Sequence, residues 1–334
     1  MRKQIIFTAP GKAELLETPL PTAAPDSVTV SMEYTVISSG TEKAALLNLP
    51  NSPGGSFPRC EGYCGVGRVT EAGPAVDILP GSRVLVYHGV HSNWNVVPAA
   101  NVTPVLDSAL PSLDAAFVIL ASMGLGGVRK ARLEIGESAM VMGLGLLGMF
   151  AVQFCRLNGA YPVIAADPNP ERRALALQLG ADAVLDPLDP DFTEQARSLT
   201  GGKGIRATVE VSGSSAAMRQ ALDCAAFQGR IVLLGCTRVS DCAVDYYRQI
   251  HKPGIELIGA HNFVRPKSES YPHHWTHQDD CAAILRLLSA GRIQAAPLCS
   301  AVESPLRAPE IYVRLAEDPK FPLGIVFDWR LPLP

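Results

Sequence analysis

The chain has 334 residues, 47% hydrophobic and 18% charged. It reads as a packed globular protein too long for one typical core, so two domains are expected. A net charge of −3 offers no handle for nucleic acid or an anionic membrane surface. Eight cysteines are scattered with no Cys-x-x-Cys pair, and Met1-Arg-Lys-Gln-Ile-Ile-Phe lacks the apolar core of a signal peptide. A reduced, cytoplasmic setting is therefore expected.

In chain order, β-rich runs at 27–33, 65–71, 82–87 and 93–97 are separated by Pro and Gly turns. They predict a compact, mostly antiparallel domain. From 137 to 260 the pattern changes to alternating strand and helix. Strands are expected at 138–142, 162–166, 182–185, 207–211, 230–235 and 255–259, with helices at 146–158, 170–179, 191–199 and 214–226. That rhythm implies a parallel, doubly wound sheet with helices on both faces, an α/β Rossmann domain. Ser138–Cys155 is uncharged and near the length of a membrane span, but its spaced glycines divide it into a strand and a helix start. A soluble, buried unit is the expectation there. After His261 a Pro- and His-rich loop leads to a helix at 279–290. A last strand at 323–328 is expected to return to the N-terminal domain. The expected division is 1–121 with 262–334 against 122–261.

The most informative stretch is Gly143-Leu144-Gly145-Leu146-Leu147-Gly148, set between strand and helix, with Asp167 closing the next strand 19 residues past Gly148. Gly143 suits the tight turn, Gly145 a close approach of backbone to pyrophosphate, and Gly148 close packing of helix on strand. The amides of Leu146, Leu147 and Gly148 open the helix, where phosphate binds. Asp167 suits the adenosine ribose hydroxyls and disfavours a 2′-phosphate, which points to NAD, with NADP possible. Arg172 could lie against adenine or reach a 2′-phosphate. Ser212-Gly213 and Gly235-Cys236-Thr237 follow the fourth and fifth strands, at the sheet edge where a cofactor crosses.

Over essentially the whole chain, the sequence resembles the medium-chain dehydrogenase/reductase superfamily of alcohol, polyol and threonine dehydrogenases. The resemblance rests on Gly40-Thr41-Glu42, Gly62-Tyr-Cys-Gly-Val-Gly-Arg-Val69, Gly81-Ser-Arg-Val84, the glycine fingerprint, Asp167-Pro-Asn-Pro-Glu-Arg172, Leu179-Gly-Ala-Asp182 and Gly229-Arg-Ile-Val232. It implies a GroES-like β domain beside the Rossmann domain, and Gly235–Thr237 with Ala260 and His261 flanking the nicotinamide. It also implies a homodimer or homotetramer acting on a small-molecule substrate, with no nucleic-acid or membrane partner.

The zinc-dependent members carry a Cys where this chain has Ser39, Gly-His-Glu where it has Gly62-Tyr63-Cys64, and a further ligand near Met123. Ser, Tyr and Met are poor zinc ligands, so no zinc is expected. A displaced site from Cys60, Cys64, His88 and His91 would match no tight zinc spacing. Tyr63, where a metal-binding His would stand, is the candidate acid/base; the alternative is a structural plug in the vacated space. A protonated tyrosine gives a proton to a developing alkoxide with little tuning, so reduction is easier to explain than oxidation.

Thr41 matches the family's relay hydroxyl, and Glu42 an acid that supports the metal His, here expected to orient Tyr63 or Ser39. Thr41 with Glu42 also suits a helix N-cap. The Arg265–His277 segment reads either as a substrate-binding cluster or as an interface loop, and Arg129, Lys130 and Arg132 as solvated surface. The leading reading is a zinc-independent NAD(H)-dependent oxidoreductase interconverting an alcohol and a carbonyl, on a sugar, cyclitol or other polyol. An NADPH-dependent quinone or enoyl reductase and a non-catalytic nucleotide-binding protein stay open as alternatives.

Overall fold

The computed structural model describes residues 1–52 and 55–333. They divide into two units, one of residues 1–120 with 281–334 and one of residues 121–280.

The second unit is built on a six-stranded parallel sheet. Numbered along the chain, its strands are Ala139–Met142, Val163–Ala166, Ala183–Leu185, Ile205–Glu210, Ala225–Leu233 and Glu256–Gly259. Their order across the sheet is 3-2-1-4-5-6, the doubly wound arrangement of a dinucleotide domain. All four residues of Ala139–Met142 and of Val163–Ala166 are buried. A strand covered by helices on both faces needs such an unbroken apolar run. The helices between them, Leu146–Leu157, Pro170–Gln178, Phe192–Ser198 and Ser215–Cys224, follow the predicted spans closely.

The fifth strand differs. It begins at Ala225, where the pattern predicts helix to 226 and strand only from 230. Ala225 pairs with Ile205, the register then jumps so that Arg230 faces Ala207, and Gln228 adopts φ +54°. This bulge interrupts the apolar run, which is why the strand's start is hidden in the sequence.

The first unit holds a two-stranded hairpin, Arg2–Ala9 with Lys12–Thr18, and a mostly antiparallel sheet. That sheet runs Ala301–Glu303, Ile325–Asp328, Ser27–Val36, Cys64–Ala72, Arg83–Tyr87 and Val102–Pro104, with Trp94–Pro98 also on Ser27–Val36. The last strand does return to this sheet, Val326 pairing with Val36. Its core gathers Val28, Val30, Phe7, Ile37, Tyr312 and Phe327. The helices Ser39–Leu46 and Ala308–Glu317 carry Ala45, Leu46, Ile311 and Tyr312 into it.

The second unit extends to residue 280, beyond the 261 expected from the strand pattern. Two arginines account for this. Arg265 donates to Asp280 (2.5 Å), to Asn262 Oδ1 (2.7 Å) and to the Ser122 carbonyl. Arg129 donates to the fully buried Asp280 (2.7 Å) and lies 3.7 Å over the Trp275 ring. Arg129 is therefore a structural clamp and not the solvated charge its sequence context suggests. Arg132 stays solvent-exposed, paired with Glu256 on the surface. Among the described residues, no helix is long and apolar enough to cross a membrane.

Candidate functional site

In the second unit, the strand Ala139–Met142 turns at Gly143 (φ +93°) into the helix Leu146–Leu157, with Gly145 at its N-cap. A Cβ on Gly148 would lie 1.9 Å from the Gly143 carbonyl oxygen, and one on Gly143 2.8 Å from the Ser212 amide. Gly145 differs, because a Cβ there would meet nothing within 4 Å. Two glycines are thus needed for internal packing, while the third leaves an open face. The amides of Leu146, Leu147 and Gly148 sit in the helix's first turn, where an N–H has no partner within the helix. This cradle fits a dinucleotide's pyrophosphate.

Asp167 closes the second strand, 5% exposed. Its carboxylate accepts from the Leu144 amide (2.7 Å), inside the glycine turn, and from the Asn169 amide (2.8 Å). Each oxygen keeps a second lone pair for a ribose hydroxyl. The Arg172 amide joins the cap of the next helix, donating to Asn169 Oδ1 (3.2 Å). It is the neighbouring Arg173, not singled out in the sequence, whose guanidinium bonds the Asp167 carbonyl (2.6 Å) and Asp186 (3.0 Å).

The loops after the fourth and fifth strands interlock. A Cβ on Gly213 would meet the Cys236 carbonyl at 2.6 Å, and one on Gly235 the Gly213 amide at 2.5 Å. Glu210 organises them, accepting from the Ser212 amide (2.8 Å), the Ser212 hydroxyl and the Gly213 amide (3.0 Å). Burial pushes its carboxyl above the ordinary carboxylate range. The signal for Glu210 was an acid ending an otherwise apolar strand, Ala-Thr-Val-Glu. Cys236 is exposed and Thr237 half-buried. Ala260 is buried, and His261 is exposed, its Nδ1 accepting from the Phe263 amide (3.2 Å). In the 265–277 segment, Arg265 and Trp275 are committed to the loop's own anchoring, and Tyr271 stacks on His274.

In the first unit, a hydroxyl cluster forms at the start of the helix Ser39–Leu46. Tyr63 Oη lies 2.7 Å from Ser38 Oγ and is also hydrogen-bonded to Thr41. Burial holds the phenol well above its ordinary pKa, with the neighbouring Cys64 and Glu42 adding to the shift. It is protonated across the working range of a protein. Sequence reasoning brings Tyr63 and Thr41 to this cluster but overlooks Ser38. Ser39 begins the helix, half-buried.

Glu42 anchors a second set of bonds behind this cluster. Fully buried, it accepts from the Ser38 amide (2.7 Å), Tyr312 Oη (2.6 Å) and His91 Nε2 (3.1 Å). His91 Nδ1 lies 2.6 Å from Thr35 Oγ1, which accepts from Trp329 Nε1 (2.8 Å). An indole N–H only donates, so Thr35 keeps its own proton to offer, while the Glu42 carboxylate facing Nε2 can only accept. The helix N-cap is Ser38 and not Thr41, and it makes no side-chain cap bond.

A zinc ion does not fit this donor set. Cys64 is buried, gives its S–H to the Val36 carbonyl (3.3 Å), and is held well above the ordinary thiol pKa by burial. Of the other residues weighed for a displaced site, His91 is committed to Thr35 and Glu42, Cys60 is exposed, and His88 stacks on Tyr87 at 3.7 Å. Among the described residues, no group of three or more His, Cys, Asp or Glu could hold a metal.

Residues 147–273 match a family model described as zinc-binding dehydrogenase. The chain is 29% identical over 325 residues to L-threonine 3-dehydrogenase of Pyrococcus horikoshii, covering 88% of this chain and 89% of that one. It is 27% identical over 212 residues to D-guloside 3-dehydrogenase of Escherichia coli K12, covering 62% of this chain and 59% of the relative's length. A protein of Sinorhizobium meliloti 1021 described as a zinc-binding dehydrogenase, solved with NADP bound, superposes with a TM-score of 0.83. It shares 23% identity over 98% of this chain and 99% of that one.

Proposed function

We propose that the chain is a zinc-independent, NAD(H)-dependent oxidoreductase of the medium-chain dehydrogenase/reductase superfamily, interconverting an alcohol and a carbonyl. The observation that carries the proposal is the half-buried Tyr63 hydroxyl held beside the Ser38 and Thr41 hydroxyls. A bound nicotinamide supplies or accepts hydride. The chain's own task is then to give the developing alkoxide a proton, or to remove one from the alcohol.

Tyr63 is the group we assign to that task. Its proton is retained until a stronger base, the developing alkoxide, takes it. The resulting phenolate would accept hydrogen bonds from Ser38 and Thr41, which offsets part of its burial cost. Tyr63 rests protonated, the state carbonyl reduction starts from, whereas oxidation would start from the phenolate that burial opposes. The Gly143–Gly148 cradle would hold the pyrophosphate and Asp167 the ribose hydroxyls, which supports NAD(H) over the phosphorylated form. A sugar, cyclitol or other polyol is the proposed substrate class, in line with the guloside dehydrogenase among the relatives.

The test is turnover of sorbitol, myo-inositol, L-threonine and butane-2,3-diol with NAD⁺ and NADP⁺, alongside fluorescence titration with NADH and NADPH. Tyr63→Phe should lower kcat on the fastest substrate by ~10²–10⁴. An unchanged rate would return Tyr63 to packing, and one tight zinc per chain in metal analysis would overturn zinc independence. Tighter NADPH than NADH binding would move the assignment toward an NADPH-dependent reductase.

A further inference from the structure

We infer that Ser38 is a positioning residue for this reaction, its hydroxyl donating to Tyr63 Oη so that the phenolic proton is directed to the substrate. The inference rests on the reading of Tyr63 as proton donor and names what aims it.

Three observations carry it. A serine at a helix N-cap ordinarily accepts from an amide of the first turn. Ser38 occupies that position yet makes no such bond, and its Oγ lies 2.7 Å from Tyr63 Oη. Next, the two hydroxyls cannot both donate to each other. Tyr63 has one proton, so if it goes to a substrate, the Ser38–Tyr63 bond must be made with the serine proton. Finally, Ser38 is fixed independently of Tyr63. Its amide donates to Glu42 Oε1 (2.7 Å), and Glu42 is itself held by Tyr312 and His91. Glu42, His91 and Tyr312 are fully buried, and Thr35 and Trp329 behind them are 1% and 5% exposed. The serine that contacts the phenol is thus mounted on a rigid, fully satisfied polar network.

In carbonyl reduction, the Tyr63 O–H bond breaks as an O–H bond forms on the former carbonyl oxygen, whose carbon receives hydride from reduced nicotinamide. Ser38 and Thr41 keep their protons and donate to the phenolate until solvent water returns a proton to it.

The experiment compares Ser38→Ala and Ser38→Thr with wild type. Carbon NMR of full-length protein labelled at tyrosine Cζ reports the phenol without any substrate, the Tyr63 resonance being the one missing in Tyr63→Phe. In Ser38→Ala this resonance should move, and in Ser38→Thr it should return toward the wild-type position. On the fastest substrate of the panel above, Ser38→Ala should lower kcat about 10–100-fold with KM within about twofold, and Ser38→Thr should restore most of it. If Tyr63→Phe is slow while Ser38→Ala keeps wild-type kcat and an unmoved resonance, the inference alone is overturned. If Tyr63→Phe is itself as fast as wild type, the inference falls together with the reading it rests on.

Discussion

The three glycines of the fingerprint make a test that separates packing from ligand approach. Gly145→Ala adds a methyl at φ −72°, ψ −174°, a conformation alanine adopts freely, with no atom within 4 Å. Folding should lose nothing, and the stiffer unfolded chain should gain about 0.4–1 kcal/mol. If a pyrophosphate approaches this backbone, the same methyl occupies its place, and the NADH Kd should rise at least ~10-fold, or ~1.4 kcal/mol. Gly148→Ala makes the opposite prediction. Its Cβ would stand 1.9 Å from the Gly143 carbonyl, about 1.5 Å short of ordinary contact, against backbone that cannot swing aside. A cost near 3 kcal/mol, the upper range for overpacking, would lower Tm by roughly 10 °C for a unit of this size. Melting curves without ligand and fluorescence titration with NADH measure both. Wild-type NADH affinity in Gly145→Ala would refute the assignment of that open face to the cofactor. An unshifted Tm in Gly148→Ala would refute the packing argument.

Other perturbations report on the polar groups. Glu42→Ala leaves the Ser38 amide, Tyr312 hydroxyl and His91 Nε2 without their acceptor, so chemical denaturation should show a loss on the order of 4 kcal/mol. A loss under about 1 kcal/mol would mean the network is not what holds this helix start. Glu61 is pushed up to about 7 by burial and by the nearby Glu42 charge. The folded state then binds a proton that the unfolded chain, near 4.3, releases, so stability falls as pH rises between those values. Being partly exposed, the group contributes no more than ~1–2 kcal/mol after screening. Glu61→Gln should therefore melt increasingly above wild type from about pH 5 to about pH 8, and a constant gap would contradict the assignment. Asp167→Ala removes the acceptor for two amides and for a ribose, so NADH should bind ~10-fold more weakly and the preference for NADH over NADPH should shrink. An unchanged preference would shift discrimination to Arg172 or Arg173.

The parallel sheet was legible because its information is local. Val163–Ala166 and Ala139–Met142 announce burial on both faces within four residues each, and the glycines and Asn169-Pro170 mark where helices start. Where local pattern is broken, as by the bulge at 226–229, the boundary slipped. The helix Ser39–Leu46 was legible only as the N-cap reading of Thr41 and Glu42, which starts it three residues late because its apolar residues begin only at Ala44. Arg129 was misread because its partners, Trp275 and Asp280, lie far along the chain.

The hydroxyl cluster shows most sharply what local reading cannot reach. Motif position brought Tyr63, Thr41 and Glu42 forward, but the bonds that define their roles span 25 residues from Ser38 to Tyr63, 49 from Glu42 to His91 and 270 from Glu42 to Tyr312. The helix start could be closed by either of two groups, the Ser38 hydroxyl facing forward or the Glu42 carboxylate reaching back. A cap is worth about 1 kcal/mol, so a serine withdrawn from capping needs compensation. Glu42 provides it by accepting the Ser38 amide, and its own burial would be prohibitive without the donors from Tyr312 and His91. The carboxylate thus fixes the helix start through a different amide from the one the serine would have capped, and the serine hydroxyl is left to Tyr63. Glu42 acts on the phenol both by its charge and through Ser38, and the second route rests on bonds that neither spacing nor residue type could have assigned.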